Sequence, residues 1–452
     1  MIRVYNTMGR ALVDFEPRDE GKVSIYVCGP TVQSEPHIGH GRYAVAFDII
    51  RRYLTWRGYE VTYVSNITDI EDKIIAAAAE AGESVETLAA SMGERFARSF
   101  EHLGVLEPDV EPKATEHIPE MLELIGKLID RGLAYERDGD VYFSVRTLEQ
   151  YGKLSGRRPE ELRSGYRIEV DPSKEDPLDF ALWKAAKPGE PSWPSPWGHG
   201  RPGWHIECSA MASKYLGEGF DIHGGGLDLV FPHHENEVAQ SEGASGSTFA
   251  RCWLHNGMVN LGGEKMSKSE GRIVDLESVI EAHGGRPLRM LFARAHYRSP
   301  IEYSDELLAD AAEALDRLDR FRERIAGDEA DPAAMARFVE VMDDDFGTPQ
   351  AVSLMFDLIR EGNRIIDEGG DASSLAGAVD EIVGVLGLDD ASRRLLGHAV
   401  ALSDDEIEDL VAKRHVARKE RRFDEADAIR DRLAAAEVTL EDGPSGTKWL
   451  RR

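Results

Sequence analysis

Residues 22 to 64 constrain this chain more than any other stretch. Lys22 to Cys28 alternates, with Val23, Ile25 and Val27 on one face, which predicts a strand ending at Cys28-Gly29-Pro30. Past a loop, Gly39-His40-Gly41 opens a helical stretch that runs to about Trp56 and closes at Gly58. Glu60 to Val64 predicts a second strand. A strand, a crossover helix and a strand in that order argue for a parallel sheet. Ligands of such sheets sit at the carboxyl ends of the strands, so nucleotide chemistry is expected just past Cys28.

Further along, residues 73 to 135 are mostly helical, broken near Pro108 and Pro112. A loop-rich stretch follows to about Pro202, with Pro188, Pro191, Pro194 and Pro196 clustered. It reads as an insertion, because strand-and-motif character resumes at Gly203-Trp204-His205. From Ser304 the pattern is helical again, with Leu307, Leu308, Ala311, Leu315, Leu318, Phe321 and Ile325 on one face. Gly327 to Pro332 links that helix to the next.

Composition sets the broad class. An apolar fraction of 42% over 452 residues is enough for real cores, which excludes a disordered chain and suggests two to four domains. No apolar run reaches about 18 residues, and the N-terminus has no basic segment followed by an apolar one. Three cysteines cannot make a disulfide framework, so a cytoplasmic protein is expected. The net charge is −29, and only 14 of the 54 basic residues are lysine, the composition of a chain adapted to high salt. Residues 304–400 hold 23 acids, nine arginines and no lysine. Against that background Lys413, Arg414, Arg418, Lys419, Arg421 and Arg422 form a local basic cluster. It is either a solvated helix face or a phosphate contact.

Three constellations carry chemistry. In Pro36-His37-Ile38-Gly39-His40, two imidazoles at a helix N-terminus can face one anion, and Gly39 lets a nucleotide approach the backbone. Ordinary N-terminal histidines are the competing reading. More than two hundred residues later, Lys265-Met266-Ser267-Lys268-Ser269 puts two lysines in a glycine-flanked loop, able to swing onto a polyphosphate. No G-x-x-x-x-G-K-[ST] and no G-x-G-x-x-G occurs, which leaves P-loop and dinucleotide enzymes unsupported. Finally, His233-His234-Glu235-Asn236-Glu237 places His233 and Glu237 on one face if helical. With Cys28 and Cys208 they make a sensible Cys₂-His-Glu zinc set, either functional or structural. Cys252 reads as a buried, inert thiol.

These segments resemble the cysteinyl-tRNA synthetases of class I, from about Tyr5 to Arg452. The HIGH and KMSKS segments carry only the class. Specific to cysteine are Trp204-His205-Ile206-Glu207-Cys208-Ser209, His223-Gly224-Gly225-Gly226-Leu227-Asp228-Leu229 and Phe231-Pro232-His233-His234-Glu235-Asn236-Glu237. The resemblance implies a Rossmann-like parallel-sheet catalytic domain (1–115 and 203–260) split by a connective insertion (116–202). A KMSKS and stem-contact region (261–303), a helical bundle (304–400) and a small C-terminal anticodon-binding domain (401–452) would follow.

It also implies an activity: cysteine attacks the α-phosphate of ATP, and the cysteinyl group then moves to the terminal adenosine of tRNA(Cys). By carry-over, His37 and His40 hold ATP phosphates while Lys265 and Lys268 stabilise the leaving pyrophosphate. Gly39, Gly225 and Asp228 join them in the ATP site, and Mg²⁺ travels with ATP. Cys28, Gly29, Thr68 and Trp204 form the cysteine pocket. One Zn²⁺ sits on Cys28, Cys208, His233 and Glu237, and would sort the substrate thiol from the serine hydroxyl. Arg418, Phe423, Asp427 and Asp442 are the implied anticodon contacts. A monomer is expected, with a dimer as the alternative, and no membrane partner.

Some positions depart from the family pattern: Gln33-Ser34-Glu35-Pro36 before HIGH, Glu270 and Arg272 after KMSKS, and Gly347 in Asp345-Phe346-Gly347-Thr348-Pro349. Rival readings are a cysteine–aminosugar ligase that shares the adenylation site, a non-catalytic RNA-binding relative and a zinc hydrolase. The apparent anticodon end speaks against the first and the intact HIGH and KMSKS segments against the second. The third lacks H-E-x-x-H.

Overall fold

The computed structural model describes residues 1–158, 173–262, 264–265, 273–389, 411, 413–414, 429–430, 438–443 and 446–451. The chain forms two compact units, Met1–Gly387 and Leu388–Arg452.

The first unit opens with an antiparallel hairpin of β1 (Arg3–Asn6) and β2 (Ala11–Asp14). β3 (Lys22–Val27) and β4 (Glu60–Ser65) follow, joined by α1 (Ile38–Trp56) and paired in parallel. β3 is buried from Val23 through Val27 rather than on one face only. A central parallel strand is covered on both sides, so its sequence alternation describes only half of its environment. Tyr26 packs with Ile206, Cys208 and Met211 of the helix Trp204–Leu216. The remaining polar residue, Ser24, gives both its N–H (2.8 Å) and its hydroxyl (2.6 Å) to Asp221.

Residues 72–130 contain α2 (Asp72–Ala81), α3 (Val85–His102) and α4 (Ile118–Asp130), as the pattern predicts. Most described residues of the following stretch are turn or irregular, as predicted, but it also holds a sheet. β5 (Ala134–Arg137), β6 (Asp140–Phe143), β7 (Phe180–Ala185) and β8 (Gly200–Pro202) form a four-stranded antiparallel sheet. Its first turn is Asp138-Gly139, both at positive φ (55° and 89°), a standard hairpin signal overlooked between such short strands. The segment after it is helical rather than strand-like: Gly203 precedes the helix Trp204–Leu216.

β9 (Phe220–Gly226) and β10 (Ala250–Asn256) complete the main sheet, whose order is β10-β9-β3-β4 with every pairing parallel. The chain thus returns to β3 nearly two hundred residues after leaving it. A small sheet follows, with β11 (Val259–Leu261) between β12 (Glu264–Lys265) and β13 (Ile301–Tyr303). Helices Leu276–His283 and Gly285–Ala293 lie between β12 and β13 in sequence.

Four helices end this unit: Asp305–Arg324, Pro332–Asp343, Thr348–Asp367 and Ser373–Leu386. The first is capped by the Ser304 hydroxyl, which accepts the Leu307 N–H at 3.3 Å. It buries Leu308, Ala311, Leu315, Leu318 and Phe321 as the periodicity predicts, but Leu307 is 38% exposed and Ile325 lies past the helix end. Asp345 and Phe346 adopt left-handed conformations (φ 58° and 55°). Asp345 accepts the Tyr5 N–H (2.8 Å), the Tyr297 hydroxyl (2.9 Å) and Arg298 Nε (2.6 Å), joining the bundle to the catalytic core. A Cβ on Gly347 would meet the Val341 carbonyl at 2.5 Å, so glycine suits this turn.

Of the second unit, the described residues include the antiparallel hairpin β14 (Val438–Gly443) and β15 (Gly446–Arg451). Of the basic cluster only Lys413 and Arg414 are described; Lys413 is exposed and Arg414 is buried, so Arg414 is not part of a solvated face. Among the described residues no helix is long and apolar enough to cross a membrane.

Candidate active site and metal centre

The carboxyl ends of β3 and β9 meet a cavity of about 330 Å³ at the mouth of α1. Cys28, Gly29, His37, His40, Trp204 and Asp228 all line it. β3 delivers Cys28 and Gly29, and the Cys28 N–H binds Gly224 O at 3.1 Å. Gly29 is required by packing: a Cβ there would lie 1.6 Å from the Asn66 carbonyl oxygen.

His37 and His40 flank the first turn of α1, which has no acidic residue. Their rings stack at 3.7 Å, and His40 Nδ1 accepts the His37 N–H at 3.0 Å. Phe96 supports His40 edge-on at 4.8 Å. Both histidines therefore sit at a helix start whose positive dipole favours an anion, although the Ile38 and His40 N–H groups are already taken by Val274 O and His37 O. Gly39 and Gly226 also line the cavity. Gly225 faces inward, since the place of its missing Cβ is 2.8 Å from the His234 ring.

The lysine loop begins and ends beside this mouth. Lys265 closes β12, paired in register with Asn260. On the far side Val274 O accepts the Ile38 N–H (3.0 Å), and Pro36 O accepts the Leu276 N–H (3.0 Å). The backbone thus ties the segment after the loop to the start of α1. Lys268, Glu270 and Arg272 lie outside the described residues, as do Arg418, Phe423 and Asp427; Asp442 lies in β14.

Behind Cys28 the chain gathers a buried donor cluster. The ligand atoms of Cys28, Cys208, His233 and Glu237 all lie within 4.8 Å of one another. The helix Trp204–Leu216 supplies Cys208, the turn before the helix Glu235–Ser245 supplies His233, and that helix's first turn supplies Glu237. Cys28 Sγ is 3.3 Å from Glu237 Oε1, and His233 Nε2 is 3.0 Å from the same oxygen. Burial alone would raise the Cys208 thiol, but hydrogen bonds with Cys28 and His233 hold it at about 6. Among the described residues no lysine or arginine pairs with Glu237. Two soft thiols, an imidazole and a carboxylate packed this closely suit a tetrahedral cation, whose ligand edges are about 3.3–3.8 Å.

Sequence reasoning missed an outer layer of histidines. His223 Nε2 binds Glu237 Oε2 at 2.8 Å, and His234 Nδ1 lies 2.8 Å from His255 Nε2. Cys28, His223, His234 and Glu237 form a second four-donor group sharing two members with the first. His205 occupies His233 Nδ1 at 2.9 Å and leaves Nε2 for the cluster. Trp204 stacks on His233 at 4.3 Å. Thr68 is buried and is not among the lining residues; its backbone bonds Val32 and the cavity-lining Pro30, and its hydroxyl donates to Glu207 at 2.9 Å. Burial, then Cys208 and Asp69, push the Glu207 carboxyl well above the usual range.

A parallel sheet, a histidine pair opening α1 and a backbone tie from Val274 to the start of that helix place the chain with the class I aminoacyl-tRNA synthetases. Residues 14–313 match the family described as tRNA synthetases class I (C) catalytic domain, 337–388 the DALR domain, and 403–449 the cysteinyl-tRNA ligase anticodon binding domain. The cysteine–tRNA ligase of Alkalilimnicola ehrlichii is 51% identical and that of Methylobacillus flagellatus 52%, each over 100% of both chains. The methionyl-tRNA synthetase of Mycobacterium tuberculosis with methionyl-adenylate shares the fold at 18% identity, with TM-score 0.59 over 84% of this chain and 93% of its own. This chain belongs to the cysteine–tRNA ligase family. The match over 403–449 disfavours the aminosugar-ligase reading.

Proposed function

We propose that this chain activates L-cysteine with ATP and charges tRNA(Cys), using its bound metal to choose the amino acid. The observation that carries this reading is the double position of Cys28, which lines the cavity with His37 and His40 and also belongs to the donor cluster. A purely structural metal would not need to border the nucleotide site. Zn²⁺ fits the donor set, and when bound it prefers a substrate thiolate over a hydroxyl, a discrimination that packing around one atom cannot match.

His37, Gly39 and His40 hold the phosphates of Mg²⁺–ATP at the start of α1, with Gly225 and Asp228 on the nucleoside side. Lys265 and Lys268 close over the pyrophosphate as it leaves. Cys28, Gly29 and Trp204 enclose the cysteine, and Thr68, which does not line the cavity, supports its wall from behind through Pro30. This is catalysis by positioning and electrostatics, with no covalent nucleophile on the protein. Arg418, Phe423, Asp427 and Asp442 read the anticodon, where an aromatic ring stacks and carboxylates accept from base-edge donors. We assign these roles to a cytoplasmic monomer divided at about 115, 202, 260, 303 and 400.

The test is charging. Purified protein, Mg²⁺–ATP, labelled cysteine and tRNA(Cys) should give acid-precipitable cysteine, with serine excluded. Cysteine-dependent pyrophosphate exchange without label on tRNA would overturn the reading.

A further inference from the structure

The site holds one buried carboxylate that neither the metal set nor the nucleotide site uses. Glu207 is fully buried. Its Oε2 accepts the Thr68 hydroxyl at 2.9 Å, while its Oε1 is buried with no hydrogen-bond partner. Among the described residues no lysine or arginine pairs with it. With that oxygen bare, desolvation favours the neutral acid, and a donor or cation beside it would restore the carboxylate.

Its placement says where that cation comes from. Trp204, Glu207 and Cys208 stand at i, i+3 and i+4 of the helix Trp204–Leu216 and so share a face. Trp204 lines the cavity, and Cys208 belongs to the donor cluster. Glu207 lies between them in sequence on that face. A chain of hydrogen bonds links it to the pocket: Asn66 Nδ2 to Thr68 Oγ1 (3.3 Å), and the cavity-lining Gly29 N–H to Asn66 Oδ1 (3.0 Å). Every donor in this chain points toward Glu207, so Thr68 fixes one carboxylate oxygen and leaves the other open.

The amino acid enters with its thiol committed to the metal and its carboxylate turned to ATP. Its α-ammonium is then the one cationic group without a partner. We propose that Glu207 Oε1 is the countercharge for the α-ammonium of the amino-acid substrate, with Thr68 as the residue that positions the carboxylate. The inference rests on reading the cavity as the cysteine pocket. It adds a test of the backbone end of the substrate to the test of its side chain.

Two fragments of cysteine separate this role from a structural one. Cysteamine keeps the thiol and the ammonium; 3-mercaptopropionate keeps the thiol and the carboxylate. Both are measured as competitors of cysteine-dependent pyrophosphate exchange, with bound metal quantified in each protein. Glu207→Gln should weaken cysteine and cysteamine roughly 10- to 100-fold, the effect of losing a charged hydrogen bond, and leave 3-mercaptopropionate and metal content as in the native protein. Equal weakening of 3-mercaptopropionate would overturn the proposal in favour of a scaffold role, and so would unchanged competition by all three compounds. Should Glu207→Gln fail to fold, Thr68→Val carries the same comparison, with the same selective loss expected and an equal loss overturning it. Absence of cysteine-dependent exchange in the native protein would remove the pocket reading itself before any variant is compared.

Discussion

Glu237 is the residue on which most of the site converges. Its carboxylate meets Cys28 and His233 on Oε1 and His223 on Oε2, with no exposed surface. A group so placed is held well below the usual carboxylate range: burial opposes ionisation, but His223 and His233 outweigh it. Removing one donor from such a cluster should cost more than a contact. Cys208→Ala is expected to lose bound metal and to raise the cysteine concentration needed for pyrophosphate exchange, with ATP dependence little changed. Metal analysis and exchange kinetics on the variant check this, and full metal content with normal exchange would remove Cys208 from the ligand set. The four proposed ligands were legible because two lie in one helical repeat and two are among only three cysteines. His223 and His255 were not, because strand register places them rather than sequence spacing: Trp253 pairs with His223, and His255 with Gly225. A histidine in each of two adjacent parallel strands, His223 within β9 and His255 near the end of β10, was the missed signal.

Elements hold this site through buried charge as well as apolar contact. Asp48 on α1 accepts Arg52 Nε at 2.7 Å and pairs with Arg289, and the Asp48 and Arg289 side chains are each 1% exposed. Burial alone would raise the Asp48 carboxyl, but Arg289 and Arg52 bring it to about 2. Its folded value lies below the unfolded one of about 3.9, so the stabilisation is present above about pH 4 and lost as pH falls toward 2. The amount is on the order of 2 kcal/mol. Asp48→Asn should cost about 3–5 kcal/mol, since it strands Arg289 in the interior. Urea unfolding at neutral pH and near pH 3 checks both: the variant should be weaker at neutral pH, and the gap should narrow in acid. Helices were read well at this scale, because a 3.6-residue period survives in exposed helices such as Asp305–Arg324. The sheet β5–β8 was not, since its strands are only three to six residues long and too short to establish a period.

At the scale of the molecule, the core of the first unit is complete by Gly387. Removing residues 401–452 should therefore leave cysteine-dependent pyrophosphate exchange close to native while sharply lowering tRNA charging. Unchanged charging by the truncated protein would deny the C-terminal segment its proposed role. The signals at residues 37 and 265 were legible as parts of one nucleotide site, but they stand on different sheets: His37 follows β3 of the main sheet and Lys265 closes β12 of the small one. What lay between them, β9 inserted beside β3, follows from the rule that parallel strands need long crossovers, but only the structure supplies the register.

The order β10-β9-β3-β4 also sets a clock during synthesis. A ribosome adding about 5–20 residues per second needs roughly 10–40 s to travel from Cys28 to Glu237. For that interval the nascent chain carries one edge of β3 unpaired and a thiol without its partners. Strand β4 arrives early, the insertion can fold in the meantime, and β9 must then enter an edge that has waited for it. A chaperone or a scarce metal supply should therefore be felt most by chains stalled between these two residues, before the finished enzyme exists.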